Sequence, residues 1–157
     1  DILDVTESFT FQHEFVIYSN QASFTDTALV NLGVDHPLIE EYGSKIKQIE
    51  VQSIKYWLIA HNGSDEQMLN TLTLRVANAD GTDARDVVAL ENIALHQLLN
   101  NPTDLTIIPE GRSKLEDLVE LPPHAFEYSI ESSINEVPAD FTLVFEVTAK
   151  MTANPLN

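Results

Sequence analysis

The last thirty or so residues alternate apolar and polar side chains twice over. Phe126, Tyr128, Ile130, Ser132 and Ile134 are separated by Glu127, Ser129, Glu131 and Ser133. Phe141, Leu143, Phe145, Val147, Ala149 and Met151 are separated by Thr142, Val144, Glu146, Thr148 and Lys150. Successive side chains on a strand point to opposite faces, so a two-residue period lays each apolar row along one face. Between the rows, residues 135–140 carry Asn135, Pro138 and Asp140. Proline cannot donate to a central ladder, and Asn and Asp favour turns, so this stretch predicts a hairpin connection. Two such strands, each roughly 30 Å long, expose an apolar face that must be covered by a second layer.

The rest of the chain supplies candidates for that layer. After a mostly polar lead-in over 1–8, Phe9, Phe11, His13, Phe15 and Ile17 repeat the same period. Residues 19–27 read as a loop and 28–34 as a second strand, paired with the first or lying opposite it. Asp35 and Pro37 followed by Glu40, Glu41 and Gly43 predict a short helix, with Asp35 as cap and Gly43 as left-handed stop. From 46 to 60 the apolar parity changes, with Ile49 and Val51 odd but Ile54, Tyr56 and Leu58 even. A one-residue shift of that kind is what a β-bulge, or a strand switching sheets, produces. Trp57 and Ile59 make its end apolar on both faces, which predicts a central strand with a buried Trp57. Asn62-Gly63 predicts a hairpin turn into a strand carrying Leu72, Leu74 and Val76.

Two stretches are less one-sided. Over 85–100, Val87, Leu90, Ala94 and Leu98 recur at helical spacing, which puts helix slightly ahead of a strand followed by a short helix. A short strand is expected over 105–108. Ser113 followed by Glu116 has capping-box spacing, and with Leu115, Leu118 and Val119 it predicts a two-turn helix over 111–121, ended by Pro122-Pro123. The whole reads as one all-β domain over 1–157: an antiparallel, immunoglobulin-like β-sandwich of about seven or eight strands with one to three short helices in its connections.

Composition limits function. Eight Lys plus Arg stand against 25 Asp plus Glu, a net charge of −17. That repels nucleic-acid phosphates and anionic lipid, so no nucleic-acid partner is expected. With no cysteine there is no disulfide, thiolate metal site or cysteine nucleophile. No apolar run approaches the length of a membrane-spanning helix. The five glycines, Gly33, Gly43, Gly63, Gly81 and Gly111, are too dispersed for a phosphate-cradling loop.

The histidines, His13, His36, His61, His96 and His124, contain no pair at metal-ligand spacing. His13 shares the apolar parity of Phe11 and Phe15 and reads as a buried, hydrogen-bonded core residue; His61 and His124 read as surface residues beside turns. Residues 78–86 place Asn78, Asp80, Asp83 and Asp86 around Gly81, as a calcium loop would, but lack the length and terminal glutamate of an EF-hand, and a plain turn is the simpler reading. Asn62-Gly63-Ser64 fits a glycosylation sequon and, more simply, a turn. The expectation is therefore no enzyme, with no catalytic, cofactor-binding or metal residues and no cofactor. Any local site would lie in the loops around 19–27, 61–68, 78–86 or 100–124.

The closing layout of long strand, Pro138 turn, long strand and Thr152-Ala153-Asn154-Pro155-Leu156 resembles small bacterial cell-envelope lipoproteins with an immunoglobulin-like sandwich. It is more faintly similar to the sandwich of late-embryogenesis-abundant type 14 proteins, in which strands such as 49–60 and 141–151 line one core. The resemblance implies a place outside the cytoplasm, in the periplasm or at the cell surface, with a lipid anchor upstream of Asp1 as one route to it. It implies another envelope protein as the partner and carries no functional residues across. The expected role is a structural or protein-binding module. The alternatives are a small-molecule or carbohydrate-binding module and a calcium-stabilised adhesion-type domain.

Overall fold

The structure, a computed structural model, describes residues 3–156; residues 1, 2 and 157, and with them the start of the expected lead-in, lie outside it. In chain order the strands are β1 (Val5–Ser19), β2 (Ser23–Asn31), β3 (Ile46–His61), β4 (Met68–Asn78), β5 (Arg85–Ala94), β6 (Thr103–Asp104), β7 (Ala125–Ile134) and β8 (Ala139–Ala153). The helices are α1 (Leu32–Asp35), α2 (Pro37–Tyr42), α3 (Leu95–Leu98) and α4 (Pro109–Glu120), with a 3-10 turn at Gly43–Lys45. The strands form two antiparallel four-stranded sheets, ordered β1-β8-β3-β6 (sheet I) and β2-β7-β4-β5 (sheet II). The expected all-β antiparallel sandwich is what the chain forms.

The connectivity is more specific than the immunoglobulin-like layout. From β1 to β4 each strand lies in the sheet opposite the one before it, and so do β6, β7 and β8; of the consecutive strands, β4 and β5 pair as a hairpin. This is the jelly-roll arrangement, in which nested Greek keys bring the last strand beside the first. Alternation of side chains is the same in a hairpin and in a strand that crosses to the other sheet. The expected hairpins at 135–140 and at Asn62-Gly63 are both sheet crossings. The β7–β8 crossing is held by Gln67, 3% exposed, whose Nε2 donates to the carbonyls of Glu136 (2.8 Å) and Pro138 (2.9 Å). Its Oε1 lies 2.9 Å from His61 Nε2. A Cβ at Gly63 would collide with the Gln67 amide and displace it from these bonds.

The inner rows follow the two-residue period. Phe9, Phe11, Phe15, Ile17, Phe126, Tyr128, Ile130, Phe141, Leu143, Phe145 and Val147 are buried between the sheets. Rings meet across the core, with Phe15 against Tyr128 at 5.9 Å and Phe11 against Phe126 at 6.3 Å. Each fully buried large side chain contributes about 1.5–3 kcal/mol relative to exposure. The expected bulge in β3 is present: its register on β8 shifts between Val51 and Ser53, where the apolar parity changes.

Other boundaries move. β1 already begins at Val5, pairing with Ala153, so residues 5–8 belong to the sheet rather than to a lead-in. β2 begins at Ser23, inside the expected loop, and lies opposite β1. Residues 85–94 are strand, followed by the single turn of α3: Val88 pairs with Leu74 of β4, Val87 sits at the register shift with its carbonyl on the Ile108 N–H, and both β-branched side chains are buried, which overrides the helical spacing. The strand at 103–104 sits just before the expected one. His36, not Asp35, occupies the cap position of α2, and Gly43 ends that helix at φ +48° as anticipated. α4 starts at Pro109, whose fixed φ suits a first turn, and runs three turns. Ser113 is therefore inside the helix, and Glu116 is used elsewhere.

Candidate functional site

The two lateral margins of the sandwich differ. In an antiparallel ladder, alternate residues turn both backbone polar groups away from the neighbouring strand. On the β3 margin those outward groups have partners. Glu116 Oε2 accepts the Val51 N–H (2.8 Å) and Arg112 Nη1 donates to the Val51 carbonyl (2.9 Å). The Ile54 and Leu58 carbonyls accept from the backbone N–H groups of Leu105 (2.9 Å) and Asn100 (2.8 Å). Residues 105–108 then cross to sheet II, where the Ile108 N–H bonds the Val87 carbonyl at 2.8 Å. Gly111 lets α4 press against β5: a Cβ there would run into the backbone of Asp86 and Val87.

The opposite margin is formed by β1 and β2. The Thr10 carbonyl points away from β8, since it contacts His36 Nε2 at 2.9 Å. Asp140, the register partner of Tyr18, turns its carbonyl to the far side, onto the Asn62 N–H. By the same alternation Gln12, Glu14, Val16 and Tyr18 turn their N–H and C=O groups outward. The β1–β8 register runs over all 15 residues of β1 without a shift, so no bulge interrupts this edge. β2 is shorter, and its Asp26 carboxylate accepts the neighbouring Thr27 N–H (3.0 Å).

Beside the β1 edge, the outer face of sheet I carries apolar side chains. Val16 is 73% exposed, Tyr18 66% and Ile59 43%. Val144 lies between Glu14 and Trp57 in the ladder. Trp57 is half-buried on this outer face, not in the core as its strand's composition suggested. β3 is a central strand, but one face of sheet I is open to solvent, so apolar residues on both faces did not require burial on both. Val16 sits between Phe15 and Ile17, and that local loss of alternation was the available sequence signal.

The histidines are dispersed. His13 is half-buried at the β1–β2 margin, ring against Phe15 (4.6 Å) and Tyr128 (5.9 Å), and is held by ring contacts rather than the expected hydrogen bond. Burial lowers its pKa, with Asp26 and Glu14 opposing. The Tyr128 phenol is buried and pushed well above its usual value. Both rings are neutral at pH 7. His124, expected at the surface, is 4% exposed, with Nδ1 at 2.6 Å from the Val119 carbonyl; the Pro122-Pro123 turn folds it under α4. His61 contacts Gln67, and His96 is exposed beside Asp65 at 3.2 Å.

The 78–86 loop is a turn fastened to α4. Lys114 Nζ donates to Asn78 Oδ1 (2.6 Å) and Asp83 Oδ2 (3.0 Å), while Asp80 bonds Thr82 within the turn. An ammonium already sits among the oxygens a cation would use. Among the described residues, no three His, Asp or Glu side chains converge as a metal-holding group, and no helix is long and apolar enough to cross a membrane.

No family model matches the chain, and no curated protein does. Among solved structures it is similar to a chain of Desmodium yellow mottle tymovirus, at 10% identity and a TM-score of 0.44, covering 96% of this chain and 88% of that one. It is also similar to a chain of infectious bursal disease virus, Gt strain, at 12% identity and a TM-score of 0.39, covering 97% of this chain and 34% of that one. Likeness at this level carries no functional reading.

Proposed function

We propose that this domain is a non-catalytic structural or protein-binding module of the cell envelope, acting outside the cytoplasm. The observation that supports the binding role is the exposed apolar set on sheet I: Val16, Tyr18 and Ile59, with Trp57 beside them. Exposed apolar clusters rimmed by polar groups mark interaction sites more often than chance surface. The outer face of sheet II is instead polar around Thr71, Thr73 and Arg75, the last held by Asp86 (2.6 Å) and Glu131 (2.7 Å). The compartment rests on the resemblance of the closing layout, 126–156, to small bacterial cell-envelope lipoproteins. A panel of hydrolase substrates is expected to show no turnover. Metal-independent turnover abolished by one side-chain change would overturn the reading, and recovery of the natural full-length protein in the cytosol would overturn the compartment.

A second reading, a small-molecule-binding module, is favoured by one groove. It lies against the end of α4, has a volume of about 370 Å³, and is lined by Ala79, Leu118, Leu121, Pro122, Pro123 and Ala125. A screen of small apolar ligands that moves the amide signals of Leu118 and Leu121 at sub-millimolar concentration would support it.

A further inference from the structure

We infer that the outer edge of β1 over residues 12–18 is a pairing edge for an extended segment of another chain, one that carries both apolar and basic side chains. The inference rests on the protein-binding reading above and specifies its surface and partner.

The edge supplies the main-chain groups. Gln12, Glu14, Val16 and Tyr18 turn their N–H and C=O groups away from β8, and a strand placed about 4.8 Å away would satisfy them. Natural edges are guarded by Lys, Pro, bulges, short length or a covering loop. β1 contains no Lys, Arg or Pro and has an unbroken register. Its first half is covered where His36 reaches the Thr10 carbonyl. Among the described residues the second half has no such cover, and the opposite margin of the same sheet is closed bond by bond.

The side chains define the partner. Val16 and Tyr18 lie on the outer face next to the free groups, 73% and 66% exposed, so an incoming strand would place one row of side chains beside them. The charges around that row are negative. Glu14 lies on the edge itself, Asp140 beside Tyr18, Glu146 beside Gln12, and Asp26 across the margin on β2. Neither β1 nor β2 contains a Lys or Arg. A second copy of this chain would bring −17 against −17. A segment carrying Lys or Arg meets attraction in place of that repulsion.

The test titrates the ¹⁵N-labelled domain with a short blocked peptide alternating Val and Lys. The control peptide has the same sequence with alternate backbone amides N-methylated, which keeps the charge and removes the donors. The expected result is slowed exchange at the amides of Gln12, Glu14, Val16 and Tyr18, with binding weakened about tenfold or more by N-methylation. Val16→Pro removes one outward donor without touching the β8 ladder and should weaken binding comparably at unchanged melting temperature. If that variant does not fold, Val16→Lys, which keeps the N–H but adds a guarding charge, should give the same loss.

Equal binding of the N-methylated peptide, or protection confined to another surface, would overturn the edge while leaving a protein-binding role intact. A concentration-dependent dimer of the domain alone, abolished by Val16→Pro, would overturn the foreign segment in favour of a second copy. Catalytic turnover in the substrate panel would remove the underlying reading instead.

Discussion

The two margins of this sandwich start from the same chemical problem and solve it differently. Each sheet ends in a strand whose outward N–H and C=O groups need partners. At β3 the partners are supplied from one helix and its approach. Arg112 and Glu116 stand four residues apart on α4 and straddle Val51, replacing the strand that β6 is too short to provide. At β1, residues 12–18 have solvent. The closed margin also buries apolar surface, since Leu115 and Val119 of α4 reach 0% exposure against both sheets, whereas Leu29 of β2 remains 66% exposed. The comparison teaches that an edge need not be closed by a strand: two long charged side chains at helical spacing do the same work.

Experiment can test this difference directly. The largest effect is expected in amide exchange. Val51 should exchange orders of magnitude more slowly than Val16 and Tyr18. Comparable rates at both margins would end the distinction.

Next is packing. Leu115→Ala should cost about 3 kcal/mol, or about 10 °C in melting temperature, from lost burial and the cavity left behind. Leu29→Ala should stay within about 0.5 kcal/mol. Denaturant melts of both variants provide the check, and equal losses would mean that β2 is packed as tightly as α4.

Glu116→Ala should cost about 2 kcal/mol, because it leaves the Val51 N–H under α4 without its acceptor. Exchange at Val51 should accelerate in parallel. Loss of stability without that acceleration would assign the effect to helix packing instead.

The smallest effect is a pH dependence at the open margin. Burial holds the His13 pKa below its ordinary value of 6.5, against the pull of Asp26 and Glu14. A histidine with a depressed folded pKa contributes its full stability above the unfolded value and loses it as pH falls through the folded one. Melting curves of the wild type and His13→Phe should therefore run parallel above pH 6.5 and diverge below it, with the wild type losing more. Curves that stay parallel to pH 5 would show that His13 is solvated in the folded state.

Much of this architecture was legible in the chain. The alternating rows at 9–17, 126–134 and 141–151 are buried as their period demands, because a strand packed on one face has no other way to hide apolar side chains. The parity change in β3 marked a bulge correctly, since one inserted residue flips every side chain after it. The signals that failed were local signals outweighed by distant contacts. Asn62-Gly63 and Pro138 describe how a turn bends, and a turn between sheets bends much as one within a sheet does. The helical spacing over 85–100 was overridden when this stretch paired along β4 and buried Val87 and Val88. His124 lay beside a turn and was buried because that turn folds beneath a helix.

The candidate surface was less legible than the fold. Val16 and Tyr18 could be placed on a solvent face by parity, but whether β1 was an edge or a centre could not be read from β1. Which residues are inside follows from the chain's own alternation, because the hydrophobic effect acts on a period carried locally. Only the tertiary structure decided which strand neighbours which, which margin α4 covers and which backbone groups remain free, because those depend on pairings between residues more than a hundred positions apart, such as Val5 with Ala153.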